Sequence, residues 1–309
     1  MIPALLPYPQ LNPVLLHLGP LTLRWYALAY VAGLALAWLG IARTLRARRL
    51  WAPAPFQGKP PATEDQIGDL VVWATFGVIV GGRLGWDLFY GILLCSATPD
   101  ASGMCHNLPG DFLTHPWRLI AEWNGWVPQL QGMSFHGGLI GVVTAIWLYC
   151  RKHKLALLPV ADLVAAFTPI GLFFGRLANF VNGELWGRVT DSPIGMVFCS
   201  RYFPAIYGTA CPGGPVPRYP SQLFEAALEG VILFLLLQLG LWVFHWQRKP
   251  GLLAAVFFAG YGTLRFAVEF FREPDAPFLG FLTMGMALSL LVWVAAAALF
   301  YVALKPKAA

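Results

Sequence analysis

The sequence predicts an all-α integral membrane protein with about seven transmembrane helices and a small extracytoplasmic head. Three observations carry that prediction. Of 309 residues, 58% are hydrophobic and only 12% are charged, whereas a soluble domain is about half apolar and about a quarter charged. So few charged groups cannot cover a water-exposed surface, which favours one membrane domain over residues 1–309 rather than two soluble ones. The apolar residues fall into runs of about 20, the width of a bilayer core. Basic residues cluster at alternate ends of those runs, the mark of cytoplasmic loops.

The elements follow in order. A first span over residues 24–41 stops at the basic cluster Arg43, Arg46, Arg48 and Arg49. Pro53, Pro55, Pro60 and Pro61 then exclude a helix, because proline removes a donor and clashes with the preceding turn. A second span covers residues 67–94, and a polar segment, about 95–131, follows it. The third span, 133–150, ends at Arg151-Lys152-His153-Lys154, and the fourth covers 159–181. A second irregular segment, about 188–219, is rich in Pro and Gly. The fifth span, 222–246, ends at Arg248-Lys249; the sixth covers 252–271, and the seventh, 281–304, ends at Lys305 and Lys307. Placing the basic clusters in the cytoplasm puts the N-terminus outside, the C-terminus inside and both irregular segments outside, where they supply the head. The N-terminus lacks a basic region of the kind that opens a cleavable signal peptide.

The formal net charge of +6 is not a nucleic-acid footprint. All six Lys lie in linkers or at the C-terminus, a distribution that suits topology and anionic lipid heads. Of the five Cys, Cys95 and Cys105 share one outer segment, and Cys199 and Cys211 share the other. Two disulfides or four free thiols both fit, and Cys150 beside Arg151 is expected reduced. No Cys/His cluster has metal-ligand spacing, so neither metal nor cofactor is expected.

Ionisable groups within spans are costly and usually face a cavity or each other. Arg83, Asp87, His136, Arg176, Glu184, Glu225, Arg265, Glu269 and Arg272 come from five spans, and most fall toward one face. Each could be half of a helix–helix ion pair, but the set together points to a shared polar cavity. Arg176 and Arg265 offer planar forks of donors suited to a phospholipid phosphate. Their alternative partners are Glu184 and, four residues after Arg265, Glu269. His136, in Ser134-Phe135-His136-Gly137-Gly138, is the candidate general base, because its ordinary pKa is near neutrality. Read alone, an interfacial histidine is more often structural.

The stretch Gly175-Arg176-Leu177-Ala178-Asn179-Phe180-Val181-Asn182-Gly183-Glu184-Leu185-Trp186-Gly187 runs off the fourth span with two amides and a carboxylate. As chemistry it is a polar helix exit able to hold a headgroup; as plain structure it is a helix end and a turn. Here the chain resembles the prolipoprotein diacylglyceryl transferase family, whose signature these thirteen residues match in full. The likeness extends to Arg24-Trp25-Tyr26, Gly81-Gly82-Arg83-Leu84-Gly85, His136-Gly137-Gly138, Pro220-Ser221-Gln222-Leu223 with Glu225, and Tyr261-Gly262 through Arg265-Phe266 to Glu269 and Arg272. It touches six of the seven spans. Gly82, Trp86, Tyr219 and Phe224 stand where the family often has Ala, Tyr, His and Tyr, departures at motif edges that bear on substrate fit.

The resemblance implies a multi-pass enzyme of the bacterial cytoplasmic (inner) membrane. It would move the diacylglyceryl group of phosphatidylglycerol to the lipobox cysteine in the signal-peptide region of a prolipoprotein, forming a thioether and releasing glycerol phosphate. His136 would take the thiol proton, and Arg176 and Arg265 would hold the phosphate. Tyr26, Asn179, Asn182, Glu184, Gly187, Tyr261 and Glu269 would complete the lipid site. A transporter or flippase for an anionic lipid is the rival reading. It needs ionisable residues toward the inner ends, where only Asp69 and Asp162 qualify. A non-catalytic scaffold leaves the polar set unexplained.

Overall fold

The computed structural model describes residues 6–19, 21–88, 122–124, 127–129, 134–273, 277–279 and 282–305. The chain divides into two compact units, Met1–Pro61 with Leu158–Ala309, and Ala62–Leu157. Most described residues are helical. Five helices, Trp25–Arg46, Glu64–Trp86, Leu157–Asn182, Ser221–Trp242 and Gly285–Leu304, are long and apolar enough to cross a membrane, as a multi-pass membrane protein requires. Large apolar side chains on them face outward: Val31, Leu291 and Val294 are 63%, 66% and 67% exposed. A bilayer, not water, is the solvent that makes such exposure favourable.

In the first unit, the strands β1 (Leu6–Pro7), β2 (Val14–Leu18) and β3 (Leu21–Arg24) precede the helix α1 (Trp25–Arg46). β2 and β3 form an antiparallel hairpin that delivers the chain directly into α1. Arg43 and Arg46 lie in the last turn of α1, where a cation complements the unpaired carbonyls of a helix end. The helix therefore runs five residues past its expected end at residue 41, because a basic terminal turn prolongs it.

The second unit is built on α2 (Glu64–Trp86) and α3 (Phe135–Lys152). Thr63 opens α2 with a capping box closed by Gln66, and the Ser134 hydroxyl accepts from the Gly137 N–H at the start of α3. Gly77, Gly81 and Gly85 recur at four-residue intervals on α2 and meet Gly137 and Gly141 of α3. A Cβ at Gly77 would fall 2.6 Å from the Gly141 carbonyl oxygen. The backbones thus lie in contact, as small-residue spacing permits in membranes. Also within this unit, β4 (Glu122–Asn124) and β5 (Val127–Gln129) form a short hairpin.

The first unit continues with α4 (Leu157–Asn182), β6 (Met196–Val197), α5 (Ser221–Trp242), α6 (Leu252–Val268), the hairpin strands β7 (Pro277–Leu279) and β8 (Leu282–Thr283), and α7 (Met284–Leu304). β1 pairs in parallel with β6, tying the N-terminus to the irregular segment after α4. Tyr8, Phe180, Met196, Phe198 and Phe203 form a buried cluster there, joined by Trp186 and Leu223. α5 contains a π-helical stretch, Ala226–Ile232, a rare geometry that concentrates at functional sites.

Two further helices stop short of their expected C-terminal ends. α5 stops at Trp242 rather than residue 246, where His245 takes a left-handed conformation. α6 stops at Val268 rather than residue 271, because the Phe271 and Arg272 amides both turn back to the Val268 carbonyl. Hydropathy does not register either turn, since bulky apolar residues still surround His245 in one and follow Glu269 in the other.

Candidate functional site

The first unit gathers six of the nine predicted ionisable residues, Arg176, Glu184, Glu225, Arg265, Glu269 and Arg272, around the C-terminal half of α4. Arg176 projects from that helix, and its Nε lies 2.6 Å from Glu225 Oε2 on α5. Its terminal Nη2 comes only to 3.8 Å from Glu229 Oε2, beyond hydrogen-bond reach. Glu225 and Glu229 are 0% exposed. The other oxygen of Glu225 faces Arg272 Nη1 at 3.9 Å, so one buried carboxylate bridges two arginines. Paired burial of this kind avoids the large cost of an isolated charge in an apolar medium.

Arg265, on α6, donates to Glu269 Oε2 at 2.5 Å one turn along. The Thr283 hydroxyl donates to the other oxygen of Glu269 at 2.7 Å, which fixes that carboxylate from the residue that caps the start of α7. Arg265 also interacts electrostatically with Glu225 and Glu229, and Tyr261 stands in the field of Arg176, Arg265 and Glu229. Three arginines and three glutamates from α4, α5, α6 and the turn after α6 thus make one largely buried charged cluster.

The second half of the site is the exit from α4. The side-chain amides of Asn179 and Asn182 both donate to Glu184 Oε1, at 2.9 and 3.1 Å. Tyr26 of α1 interacts electrostatically with Asn179 and Glu184; its hydroxyl lies 3.2 Å from that of Tyr30. Gln222 Nε2 donates to the Glu184 carbonyl at 2.6 Å, and the Ser221 hydroxyl to the Leu185 carbonyl at 3.1 Å. Gly183 has φ +66°, and the Phe203 ring occupies the space its Cβ would need, so glycine is required on both counts. Gly187 donates its N–H to the Tyr219 carbonyl at 2.8 Å and bridges to Arg272. A Cβ there would meet the Phe271 carbonyl oxygen at 2.5 Å.

One pairing differs from expectation. Glu184 was the anticipated acid for Arg176; instead Glu184 holds the two asparagines, and Glu225 holds Arg176. Glu184 follows the helix end, where the left-handed Gly183 and Leu185 turn the chain, whereas Glu225 faces Arg176 from a neighbouring helix. The expected local pair Arg265–Glu269 is present. Glu229 was not singled out in the sequence. Its spacing of four from Glu225, within an otherwise apolar run, was the available signal. Arg83 lies 3.6 Å from Asp87 within the second unit, both buried. His136 begins α3, and its side chain lies outside the described residues.

Asp162 has a structural task. Its two carboxylate oxygens accept from the Gly251 and Ala254 amides at 2.7 and 2.8 Å, capping the free donors at the start of α6. Asp69 interacts with Tyr149 inside its own unit.

Of the two disulfides left open by the sequence, Cys199–Cys211 is formed and Cys95 with Cys105 lies outside the described residues; Cys150 is free and buried.

The family model for prolipoprotein diacylglyceryl transferase matches residues 13–302. The chain belongs to the prolipoprotein diacylglyceryl transferase family. It is 45% identical over 309 residues to a phosphatidylglycerol–prolipoprotein diacylglyceryl transferase of Caulobacter vibrioides, covering 99% of this chain and 95% of the relative. Similar proteins of the same name come from Phenylobacterium zucineum, 45% identical with coverage of 92% and 90%, and Rhizobium meliloti, 43% identical with coverage of 93% and 90%. Within this prolipoprotein diacylglyceryl transferase family member, the matched region contains Tyr26, the α4 exit and the whole Arg–Glu cluster.

Proposed function

We propose that this chain transfers the diacylglyceryl group of phosphatidylglycerol to the lipobox cysteine of a prolipoprotein. The observation that carries the reading is the held but incompletely used guanidinium of Arg176. Glu225 fixes it through Nε, while among the described residues its Nη2 has no acceptor within 3.5 Å. An arginine oriented from one edge and open at the other is preorganised for a phosphate. Arg265, fixed by Glu269 and Thr283, supplies the second fork. Both relatives' names and family membership support the substrate pair.

The chemistry is displacement at carbon. The cysteine sulfur forms a C–S bond to the glyceryl carbon that carries the phosphate. The C–O bond to that phosphate breaks, and glycerol phosphate leaves with the bonding pair. The thiol proton passes to a base, for which His136 is the candidate, because the thiolate is the nucleophile and a free cysteine is mostly protonated near neutrality. Arg176 and Arg265 stabilise the charge as it gathers on the leaving phosphate. Asn179 and Asn182 occupy Glu184 Oε1, and among the described residues no donor reaches Oε2, which suits it to accept from a headgroup hydroxyl. Tyr26, Tyr261 and Glu269 line the same site, and Gly187 admits the close backbone crossing behind it.

The reading includes a single membrane domain of seven spans in the bacterial inner membrane, with the N-terminus outside and the C-terminus inside. Segments 95–131 and 188–219 form the extracytoplasmic head. The Cys199–Cys211 bridge supports that side, since disulfides persist in oxidising compartments. The deciding experiment incubates purified protein with phosphatidylglycerol and a lipobox peptide. A peptide mass gain of one diacylglyceryl group supports the reading; an unchanged mass, with lipid crossing the bilayer of a proteoliposome, supports the flippase instead.

A further inference from the structure

The loop closed by the disulfide touches the candidate site. Cys199 and Cys211 are joined across a sequence separation of 12. Between them, the one-turn helix Pro204–Tyr207 ends at Gly208, which has φ +70°. Two side chains of this loop reach the exit of α4. The Phe203 ring fills the space beside Gly183 and is fully buried. The Tyr207 hydroxyl donates to the Asn182 carbonyl at 2.9 Å.

From the N-terminal segment, the Tyr8 hydroxyl donates to the Phe180 and Val181 carbonyls at 2.7 and 3.0 Å. Three successive carbonyls at the end of α4 therefore accept from two tyrosines; the Phe180 carbonyl also accepts locally from the Gly183 N–H at 3.0 Å. These are the last carbonyls of the helix, which lack intrahelical donors. Tyr207 stands in the fields of Glu184 and Arg24. Burial and the Glu184 carboxylate raise its pKa above the usual tyrosine range, while Arg24 opposes them. Its hydroxyl stays a donor across working pH.

We infer that Tyr207 is a positioning residue for the Asn182–Glu184 turn, and that the Cys199–Cys211 bridge holds it there, so that lipid binding at this site depends on an intact disulfide. The inference rests on the lipid-site reading above. The chain of contact is short: disulfide to loop, Tyr207 to the Asn182 carbonyl, and the Asn182 amide to Glu184 Oε1. A loosened loop frees the turn that carries both the amide and the carboxylate. The effect falls on ground-state positioning of the headgroup, since Tyr207 touches neither arginine cluster nor thiol.

The test uses the full chain in detergent micelles and a fluorescent phosphatidylglycerol, read by anisotropy. Transfer to a lipobox peptide is measured in parallel. Tyr207→Phe removes one neutral hydrogen bond, so lipid binding weakens by about 2- to 10-fold and KM for lipid rises equally. kcat and the thermal unfolding midpoint stay near those of the parent. Cys199→Ser combined with Cys211→Ser weakens binding in the same direction, and so does treating the parent protein with a phosphine reductant. Adding Tyr207→Phe to the cysteine pair weakens binding less than the two separate effects multiplied, because both act through one contact. The reductant leaves the cysteine-free variant unchanged.

Unchanged lipid binding in Tyr207→Phe overturns the inference. So does a loss of binding that only tracks a lowered unfolding midpoint, or fully multiplicative effects of the bridge and the tyrosine. A parent protein that binds the lipid but transfers nothing refutes the proposed function alone, since binding still reports on Tyr207. A parent that binds no phosphatidylglycerol refutes both.

Discussion

Arg176 Nε lies 2.6 Å from Glu225 Oε2, joining α4 to α5 through a buried pair. Glu225 is 0% exposed and also faces Arg272 at 3.9 Å. This relationship orients the guanidinium before any ligand arrives. On the proposed lipid-site reading, phosphate would enter a cluster whose arginines already face carboxylates.

Arg176→Lys and Arg265→Lys keep the charge but lose the planar fork. Each is expected to lower kcat/KM for transfer at least about tenfold, or about 1.4 kcal/mol of transition-state stabilisation. Near-normal turnover in both would make the arginines structural partners of Glu225 and Glu269 only. Steady-state kinetics with phosphatidylglycerol and a lipobox peptide reads the result.

Glu225→Gln tests the brace rather than the ligand. Removing one partner of a buried pair costs about 3–5 kcal/mol, because the other charge is left uncompensated. Both the unfolding midpoint and transfer should fall. Activity with a parent-like midpoint would show that Arg176 needs no acid to hold it.

His136→Gln keeps size and hydrogen bonding but accepts no proton near neutrality. A general base contributes about 10² to 10⁴-fold, so transfer should drop by that factor while lipid binding persists. Activity of the variant should recover as pH rises, since thiolate then forms unaided. Collapse of lipid binding would instead make His136 a headgroup ligand or a structural residue.

Asp162→Asn replaces an acceptor of two backbone amides with a group that presents one acceptor and one donor. Charged hydrogen bonds contribute about 1.5–3 kcal/mol each, so the unfolding midpoint in detergent should fall. KM for lipid should hold, because Asp162 caps the start of α6 and Arg265 lies near its other end. A raised KM with a normal midpoint would restore a transport-like role to this carboxylate.

Reporter fusions after Arg49, Lys154, Lys249 and Lys307 are expected to read cytoplasmic, and fusions near Gly110 or Pro212 extracytoplasmic. Two or more contrary readings would overturn the seven-span arrangement.

The sequence by itself determined the membrane class, the approximate positions of the long helices and the candidates for most of the proposed site. Those rest on one-dimensional signals: apolar runs of bilayer width, basic clusters at their ends, and a motif whose residues are neighbours along the chain. The Arg265–Glu269 pair was legible for the same reason, because spacing of four on a helix fixes proximity. The glycines at 77, 81 and 85 carried a readable spacing too, though their partners in α3 did not follow from it. Only the tertiary structure decided which acid holds Arg176, that Glu229 joins the cluster, that Asp162 caps a helix 89 residues away, and that Tyr8 and Tyr207 close the end of α4. Each of these joins groups far apart in sequence, through directional contacts of a few ångströms. Composition and periodicity report which residues leave water. They do not report which of several equivalent carboxylates or hydroxyls the packing brings within hydrogen-bond reach.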